Sequence, residues 1–508
     1  MDKKRIFQIF ILILLISWYG FFLFHKVDLT TADLGRHIKN GELVLNGNFE
    51  ILGSNFYSYT EPDFPVVNHH WGGGVIFYLI WEVIGFTGLS FFYLVLSLFI
   101  FYLFFYIAKR ESNFSIALIA SLLTIPLIAQ RTEIRPEIFS YLFMALFFWI
   151  LWKWKKNEIN SKWLFVLPIL EIIWVNTHIY FIFGPALIGL FLVDGLIKRN
   201  FVKYKKIALV LGLTCLTSLI NPFFIKGIIY PFNIFRNYGY RIVENQSVRF
   251  LDKLGIVNNP NLVLFKIAFA VLVLSFVFIL ILKRKRFSFI YICLAIVWGA
   301  LGWMAIRNFT MFGLFAIPII SYNIQNAFHK KIKIKSINTK VFFVLISLSI
   351  FLISFINYSQ KLPLNKFMFG LGLLPGNEQS VQFFKNNDIK GPVFNNYDIG
   401  GYLIYHLYPQ EKVFVDNRPE AYSVPFFEDT YIPAQQDNSI WQEQMGKYDF
   451  NSIFFSHRDY TPWGQNFLVE RVKDPQWAVV YVDEYAIIFL ERNILNESII
   501  KKYEILWE

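Results

Sequence analysis

The run GGVIFYLIWEVIG, residues 73–85, decides how the chain is threaded. It is apolar enough to pass for a membrane span but too short for a hydrocarbon core of ~30 Å. Counted as a span, it inverts every later loop. Read as a helix lying on the outer face of a membrane, it leaves a consistent arrangement of loops around it.

That arrangement starts from composition. The chain has 508 residues, of which 56% are hydrophobic, 19% aromatic and 17% charged, and Phe alone occurs 58 times. A water-soluble protein has no use for so much apolar surface, so repeated apolar runs predict a polytopic α-helical membrane protein. The runs lie at 6–24, 89–108, 114–130, 136–152, 161–176, 179–197, 206–221, 262–282, 287–304, 308–325 and 340–358, about eleven spans in all. MDKKR precedes the first, which has no small-residue cleavage site and is read as a retained span with a cytoplasmic N-terminus.

Charge placement tests this threading. With 73–85 on the surface, the basic loops KRESN (109–113), KWKKNEINSKW (153–163), KRNFVKYKK (198–206), KRKRF (283–287) and HKKIKIKS (329–336) all fall inside. The less basic segments 25–72, 130–136, 175–178, 222–261 and 304–308 fall outside, with everything after 358. This is the positive-inside pattern, and it accounts for the net charge of +12 without a nucleic-acid partner. Cys215 and Cys293 both lie in apolar runs, where they are expected as small packing residues rather than a disulfide or metal pair.

Residues 359–508 differ in kind. Short apolar runs, GPVFNNY, EKVFVDNR, NSIFFSH and WAVVYVDEYAIIFLER, predict strands, the last a hairpin turning near Asp483–Glu484. DIGGYLIYHLY (398–408) predicts a short helix. The expected organisation is a transmembrane domain at 1–358, with a first outer loop at 25–88, and an extracytoplasmic mixed α/β domain at 359–508. In that domain Asp416, Arg418 and Glu420 cluster after an expected strand, as a loop site or a strand-end ion-pair cluster.

Ionisable groups crowd the expected outer face. In TTADLGRHIKNGELV (30–44), a helix capped by Thr30 or Thr31 would put Asp33 and His37 on one face and Leu34, Ile38, Gly41 and Leu45 on another. A carboxylate facing an outside cavity can serve as a general base; the alternative is an interfacial helix with snorkelling charges. The same face carries NFYSYTEPDFPVVNHHW (55–71), QRTEIRPEIF with Arg135, WVNTH (174–178), NPFF (221–224) and MAIRN with Arg307. Arginines converging on one leaflet suit a phosphate or pyrophosphate. His37, His69 and His70 lack metal-ligand spacing, so no cofactor is expected, a divalent cation being the alternative. GGG at 72–74 precedes an apolar helix and is expected to be a hinge rather than a phosphate cradle, so a soluble nucleotide-sugar donor is not expected.

One set of short elements spans nearly the whole chain: Asp33, His37, Gly41 and Glu42; Ser58–Tyr59–Thr60; His69–His70–Trp71; Arg135–Pro136; Trp174–Val175–Asn176–Thr177–His178; Asn221–Pro222; Arg307–Asn308; Gly400–Gly401–Tyr402; and Val415–Asp416–Asn417–Arg418. With them the chain resembles the GT-C superfamily of integral membrane glycosyltransferases and, within it, a group of largely uncharacterised bacterial membrane proteins with a soluble C-terminal domain. It departs from that group in having Leu34, Gly35 and Arg36 where aromatics are usual, and Asn55 and His70 where acids are usual. Glu61 and Asp63 are nearby substitutes for a second carboxylate.

The resemblance implies inverting transfer of a hexosyl or pentosyl unit, at the outer face of the cell membrane, from a polyprenyl-phosphate carrier to a glycan, lipid or protein acceptor. It implies Asp33 as base, with His37 beside it in the catalytic set. Arg135 and Arg307 would hold the leaving phosphate, and Tyr57, Tyr59 and Trp71 would stack on sugar faces. His69, His70, Asn176 and His178 complete the substrate-binding set, and membrane lipids surround the spans. Three alternatives differ in class. A flippase for lipid-linked glycans would place its site at mid-membrane, where Glu171 is the main acid, Asp194 lying close to a cytoplasmic end. The others are a scaffold or receptor and a catalytically inactive glycan binder.

Overall fold

The computed structural model describes residues 3–199, 201–233, 236–255, 260–282, 287–328 and 369–506. The expected span 340–358 and the residues 359–368 lie outside the described residues. The first part is helical: α1 (Lys3–Leu23), α2 (Leu34–Leu45), α3 (Trp71–Glu111), α4 (Phe114–Ile128), α5 (Glu137–Lys155), α6 (Val166–Thr177), α7 (Phe183–Ile197), α8 (Phe201–Thr217), α9 (Phe224–Ile229), α10 (Val248–Lys253), α11 (Pro260–Ile281), α12 (Phe289–Met304) and α13 (Phe309–Phe328). Among the described residues, five helical stretches are long and apolar enough to cross a membrane: α1, α3, α5, Ile179–Ile197 and α11.

Helix starts follow local chemistry. Asn113, Ser247 and Ser288 each accept a hydrogen bond from a backbone N–H two or three residues into α4, α10 and α12, satisfying donors that the first turn leaves free. At the centre, α13 packs against α3, α4, α11 and α12. Phe315 of α13 meets Phe104 edge-on at 4.9 Å and Phe148 at 5.3 Å.

The run 73–85 is a separate helical piece. α3 breaks at Gly85, whose φ of 61° and ψ of −166° lie where a side chain is strongly disfavoured. The expected hinge at GGG is therefore corrected: the helix runs straight through Gly72–Gly74, and the bend is at Gly85. The three glycines serve close approach instead. A Cβ on Gly72 would meet the Asn176 carbonyl oxygen at 2.6 Å, and one on Gly74 would meet that of His37 at 2.6 Å. From the facing helix, a Cβ on Gly41 would lie 2.2 Å from the Gly74 oxygen. This stripe brings α2 against the start of α3 and so fixes where Asp33 and His37 stand.

Three local expectations are revised. Asp33 itself holds the N-cap position of α2 without a side-chain capping bond, while the Thr30 hydroxyl bonds to Asp28 at 2.6 Å. Leu34, Ile38 and Gly41 are buried, but Leu45 is half exposed. Both cysteines are free, and Cys215 is exposed rather than packed.

The C-terminal region carries a four-stranded sheet in the order β1-β2-β4-β3, with β1 (Val393–Asn395), β2 (Ser452–Phe455), β3 (Trp477–Val482) and β4 (Ile487–Glu491). β1 and β2 are parallel, and the other neighbours antiparallel. Asp483 closes the β3–β4 hairpin by accepting from the N–H groups of Tyr485 (2.7 Å) and Ala486 (2.8 Å). The helices are α14 (Gln379–Asn386), α15 (Gly400–Leu407), α16 (Asn438–Tyr448), α17 (Pro462–Lys473) and α18 (Glu497–Tyr503). The expected strand in EKVFVDNR does not form. Only Val413 bridges, to Ser58 and Val393, because the residues after it are tied by side chains. The Val413 N–H donates to Tyr57 O at 3.1 Å, and its carbonyl accepts from the Tyr59 N–H at 3.2 Å, stitching the region to the segment between α2 and α3.

Candidate active site

A polar cavity of about 460 Å³ opens where the segment leading into α2, the α4–α5 corner, the segment before α10 and the C-terminal region meet. Each element contributes charge. α2 presents Asp33 from its N-terminus, where the N–H groups favour a carboxylate. The α4–α5 corner supplies Gln130, Arg131 and Arg135, and the α12–α13 turn supplies Arg307. Residues 242–244 add Glu244, and the C-terminal region adds Tyr397, Asp398 and Asn417.

The ion pairs are interlocked. Arg135 Nη1 lies 4.0 Å from Asp33 Oδ2 and 2.9 Å from Glu244 Oε1, while its Nη2 is 2.6 Å from Glu133. Arg131 reaches Glu137 (3.0 Å) and Glu244 (2.5 Å). Arg307 donates to Asn245 Oδ1 at 2.9 Å and stands 3.9 Å from Glu137 Oε2. Burial opposes ionisation of Glu244, but Arg135, Arg131 and Arg307 outweigh it and hold its carboxyl below the usual range. Asp398 goes the other way: burial, then the charges of Asp459 and Asp33, push it up to about 7.

Gln130 Nε2, Arg131 Nη2 and Arg307 Nε are buried donors with no hydrogen-bond partner among the described residues, and all three residues line the cavity. Orphaned donors cost free energy unless something accepts from them. Three such residues line this one cavity, two of them arginines, a set that suits an oxyanion such as a phosphate.

Two further spaces adjoin this cavity. A recess of about 130 Å³ is lined by His37, His69, His70 and His178, together with Asp33, Arg36 and Glu420. The His70 ring lies 4.0 Å from His69, 5.0 Å from His178 and 5.6 Å from His37. Burial holds all four below the usual histidine range, His69 at about 4, so they stand uncharged at neutral pH. Among the described residues no group of three or more His, Cys, Asp or Glu is arranged to hold a metal ion. The second space is an apolar groove of about 690 Å³ between Ile179–Phe183, Pro231–Phe232 and Ile296–Leu301. Arg307, Ile242 and Asn245 lie at its polar end.

The structure thus brings together Asp33, Arg135 and Arg307, and places His37, His69, His70 and His178 beside them. It does not put the expected aromatics on the cavity wall. Tyr57 is fully buried, its hydroxyl donating to Asn40 Oδ1 at 2.8 Å, and Tyr59 donates to Val393 O at 2.8 Å within the C-terminal core. Trp71 donates to Asn176 Oδ1 at 3.1 Å, so these two hold the α3 and α6 ends together and Asn176 is not a wall residue. His178 is bonded to Ser140 at 2.8 Å. Glu61 is occupied by Ser423, at 2.7 Å from its N–H and 2.6 Å from its hydroxyl, and neither it nor Asp63 reaches the cavity. Wall residues that carried no role beforehand include Gln130, Glu244 and Asp398. Their only sequence signals are polar residues at the α4–α5 corner, an acid–amide pair after Ile242–Val243, and an acid just before Gly400–Gly401.

No protein-family model and no curated protein matches the sequence. Solved structures do match in three dimensions. The Archaeoglobus fulgidus oligosaccharyltransferase tethered to an acceptor peptide containing the NVT sequon aligns with TM-score 0.57 and 11% identity, over 96% of this chain and 74% of that one. Its apo form aligns with TM-score 0.58 and 11% identity, over 92% and 71%. The archaeal oligosaccharyltransferase AglB, also from Archaeoglobus fulgidus, in complex with an inhibitory peptide and a dolichol-phosphate, gives TM-score 0.53 and 12% identity, over 95% and 74%. The fold is the one seen in these archaeal oligosaccharyltransferase structures.

Proposed function

We propose that the protein is a membrane glycosyltransferase that moves a hexosyl or pentosyl unit from a polyprenyl-phosphate-linked donor to a glycan, lipid or protein acceptor of the cell envelope. The reaction runs at the outer face and inverts the anomeric centre. The observation that carries this is the position of Arg307: it stands at once on the polar cavity that holds Asp33 and at the head of the apolar groove. A lipid phosphate needs that combination, a greasy channel ending at a cationic fork. The archaeal structures that share the fold include one with dolichol-phosphate and one tethered to an acceptor peptide, and partners of the same two classes suit this chain.

In this scheme the polyprenyl chain lies in the groove, and the phosphate takes the free donors of Arg307, Arg131 and Gln130 in place of the missing protein acceptors. Asp33 accepts the proton of the acceptor hydroxyl as its oxygen attacks the anomeric carbon. The bond from that carbon to the phosphate oxygen breaks with its electron pair, and Arg135 and Arg307 offset the charge that grows there. The lipid phosphate then leaves along the groove. His37, uncharged and one turn after Asp33, faces the acceptor side from the recess. The eleven-span topology, a cytoplasmic N-terminus and an extracytoplasmic C-terminal region belong to the same proposal.

The test is transfer by purified protein in lipid, offered radiolabelled polyprenyl-phosphate sugars and cell-envelope acceptors, beside Asp33→Asn. Label reaching an acceptor with the wild type and not with the variant supports the proposal. Donor binding without transfer by the wild type points instead to a carrier of lipid-linked glycans.

A further inference from the structure

Two motifs have no place in that scheme: Gly400–Gly401 and Asp416–Asn417–Arg418. In the structure they form one device. The Asn417 side chain bridges two residues of α2. Its Oδ1 accepts from Arg36 Nε at 3.1 Å, and its Nδ2 donates to Asp33 Oδ1. The orientation of the amide follows from chemistry: a guanidinium only donates, so Arg36 must face the oxygen, which turns the NH₂ toward the Asp33 carboxylate.

The rest of the device fixes this side chain in place. Arg418 folds back on Asp416, with Nε–Oδ1 at 2.7 Å and Nη2–Oδ2 at 2.6 Å, and reaches across to Asn55 Oδ1 at 2.7 Å. The Tyr422 hydroxyl accepts from the Asp416 N–H at 2.9 Å. Both Asp416 and Arg418 are buried, so the turn that carries Asn417 is rigid. The glycines leave room for it. A Cβ on Gly400 would lie 2.4 Å from the Val415 oxygen, and one on Gly401 would touch Asn417 Nδ2 at 3.0 Å and Oδ1 at 3.2 Å.

We infer that Asn417 is a positioning residue, supplied by the C-terminal region, that aims the Asp33 carboxylate into the cavity. The inference rests on the proposed role of Asp33 and adds to it the reason the C-terminal region is needed: it completes the site of the base. Of the two Asp33 oxygens, Oδ1 is taken by Asn417 and Oδ2 is left toward Arg135 and the cavity.

The experiment uses the full-length protein in lipid with a polyprenyl-phosphate sugar that the wild type transfers. Asn417→Ala should lower kcat about 10- to 100-fold, the scale of a misplaced reacting group, with donor KM within about threefold of wild type. Asn417→Asp keeps the shape and the bond to Arg36 but cannot donate to Asp33, so it should be no better than Asn417→Ala. Gly401→Ala keeps Asn417 but crowds its amide, and should lower kcat in the same way. The double variant Asn417→Ala/Gly401→Ala should be no worse than the poorer single one, since both act through one contact. Thermal melting of each variant separates loss of fold from loss of aim, and Gly401→Ala carries the test if Asn417→Ala does not fold. Wild-type kcat in Asn417→Ala, with Asp33→Asn inactive, overturns the inference alone, as do multiplicative losses in the double variant. Full transfer by Asp33→Asn overturns the role of Asp33 and this inference with it.

Discussion

Arg135 holds its Nη1 4.0 Å from Oδ2 of Asp33, close enough to feel the charge and too far for a hydrogen bond. Arg135 spends its donors on Glu133 and Glu244 instead, which leaves this Asp33 oxygen free toward the cavity. Asp33→Asn should therefore lower kcat by roughly 10²- to 10⁴-fold, the range for a lost general base, with donor KM little changed. Steady-state transfer kinetics check this. An equal rise in KM with kcat intact would make Asp33 a binding group.

Arg307 faces both the polar cavity and the groove. Arg307→Ala should weaken donor binding by about 1.5–3 kcal/mol, the net worth of hydrogen bonds to a charged group. Arg307→Lys should recover only part of this, because an ammonium keeps the charge and loses the planar fork. Equilibrium binding of a polyprenyl phosphate to each variant decides it.

Ala300 is exposed in the apolar groove. Ala300→Trp should fill the space proposed to hold the lipid chain. KM should rise for long-chain donors and stay near wild type for short water-soluble analogues carrying the same sugar phosphate. Equal effects on both would show that the groove does not hold the chain.

Asp398 titrates near 7 because burial, Asp459 and Asp33 disfavour its charge. In the unfolded chain it titrates near the ordinary value of about 3.8. The folded state therefore holds the extra proton between these values. The stability this group contributes is full below about pH 4, falls as pH rises through the window and is lost above about pH 7. Asp398→Asn should match wild type in melting temperature near pH 4 and exceed it near pH 8. Parallel melting curves across that range would contradict the assignment.

Gly85 has φ of 61°, and a Cβ there would meet nothing within 4 Å. Gly85→Ala therefore isolates backbone strain from steric clash. It should cost about 1–3 kcal/mol, seen as a lower melting temperature. An unchanged melting temperature would show that the break in α3 tolerates a side chain.

The sequence by itself determined the class of this protein and most of its elements. Apolar runs of span length dictate helices because, in a membrane, backbone groups must bond within their own segment. The end of the run 73–85 at Gly85 and the Asp483 turn are local signals, legible because a few adjacent residues settle them. Only the tertiary structure decided the site. Asn417 and Asp33 are 384 residues apart, and Arg135 and Glu244 are 109 apart. No local periodicity records such pairings. The GGG stripe shows why: its role is to let α2 approach α3, which depends on the partner helix as much as on its own residues. Tyr57 and Trp71 make the same point, since an aromatic near a polar cavity can line it or serve the packing behind it. Which it does is set by the elements that fold against it, here the C-terminal region and α6.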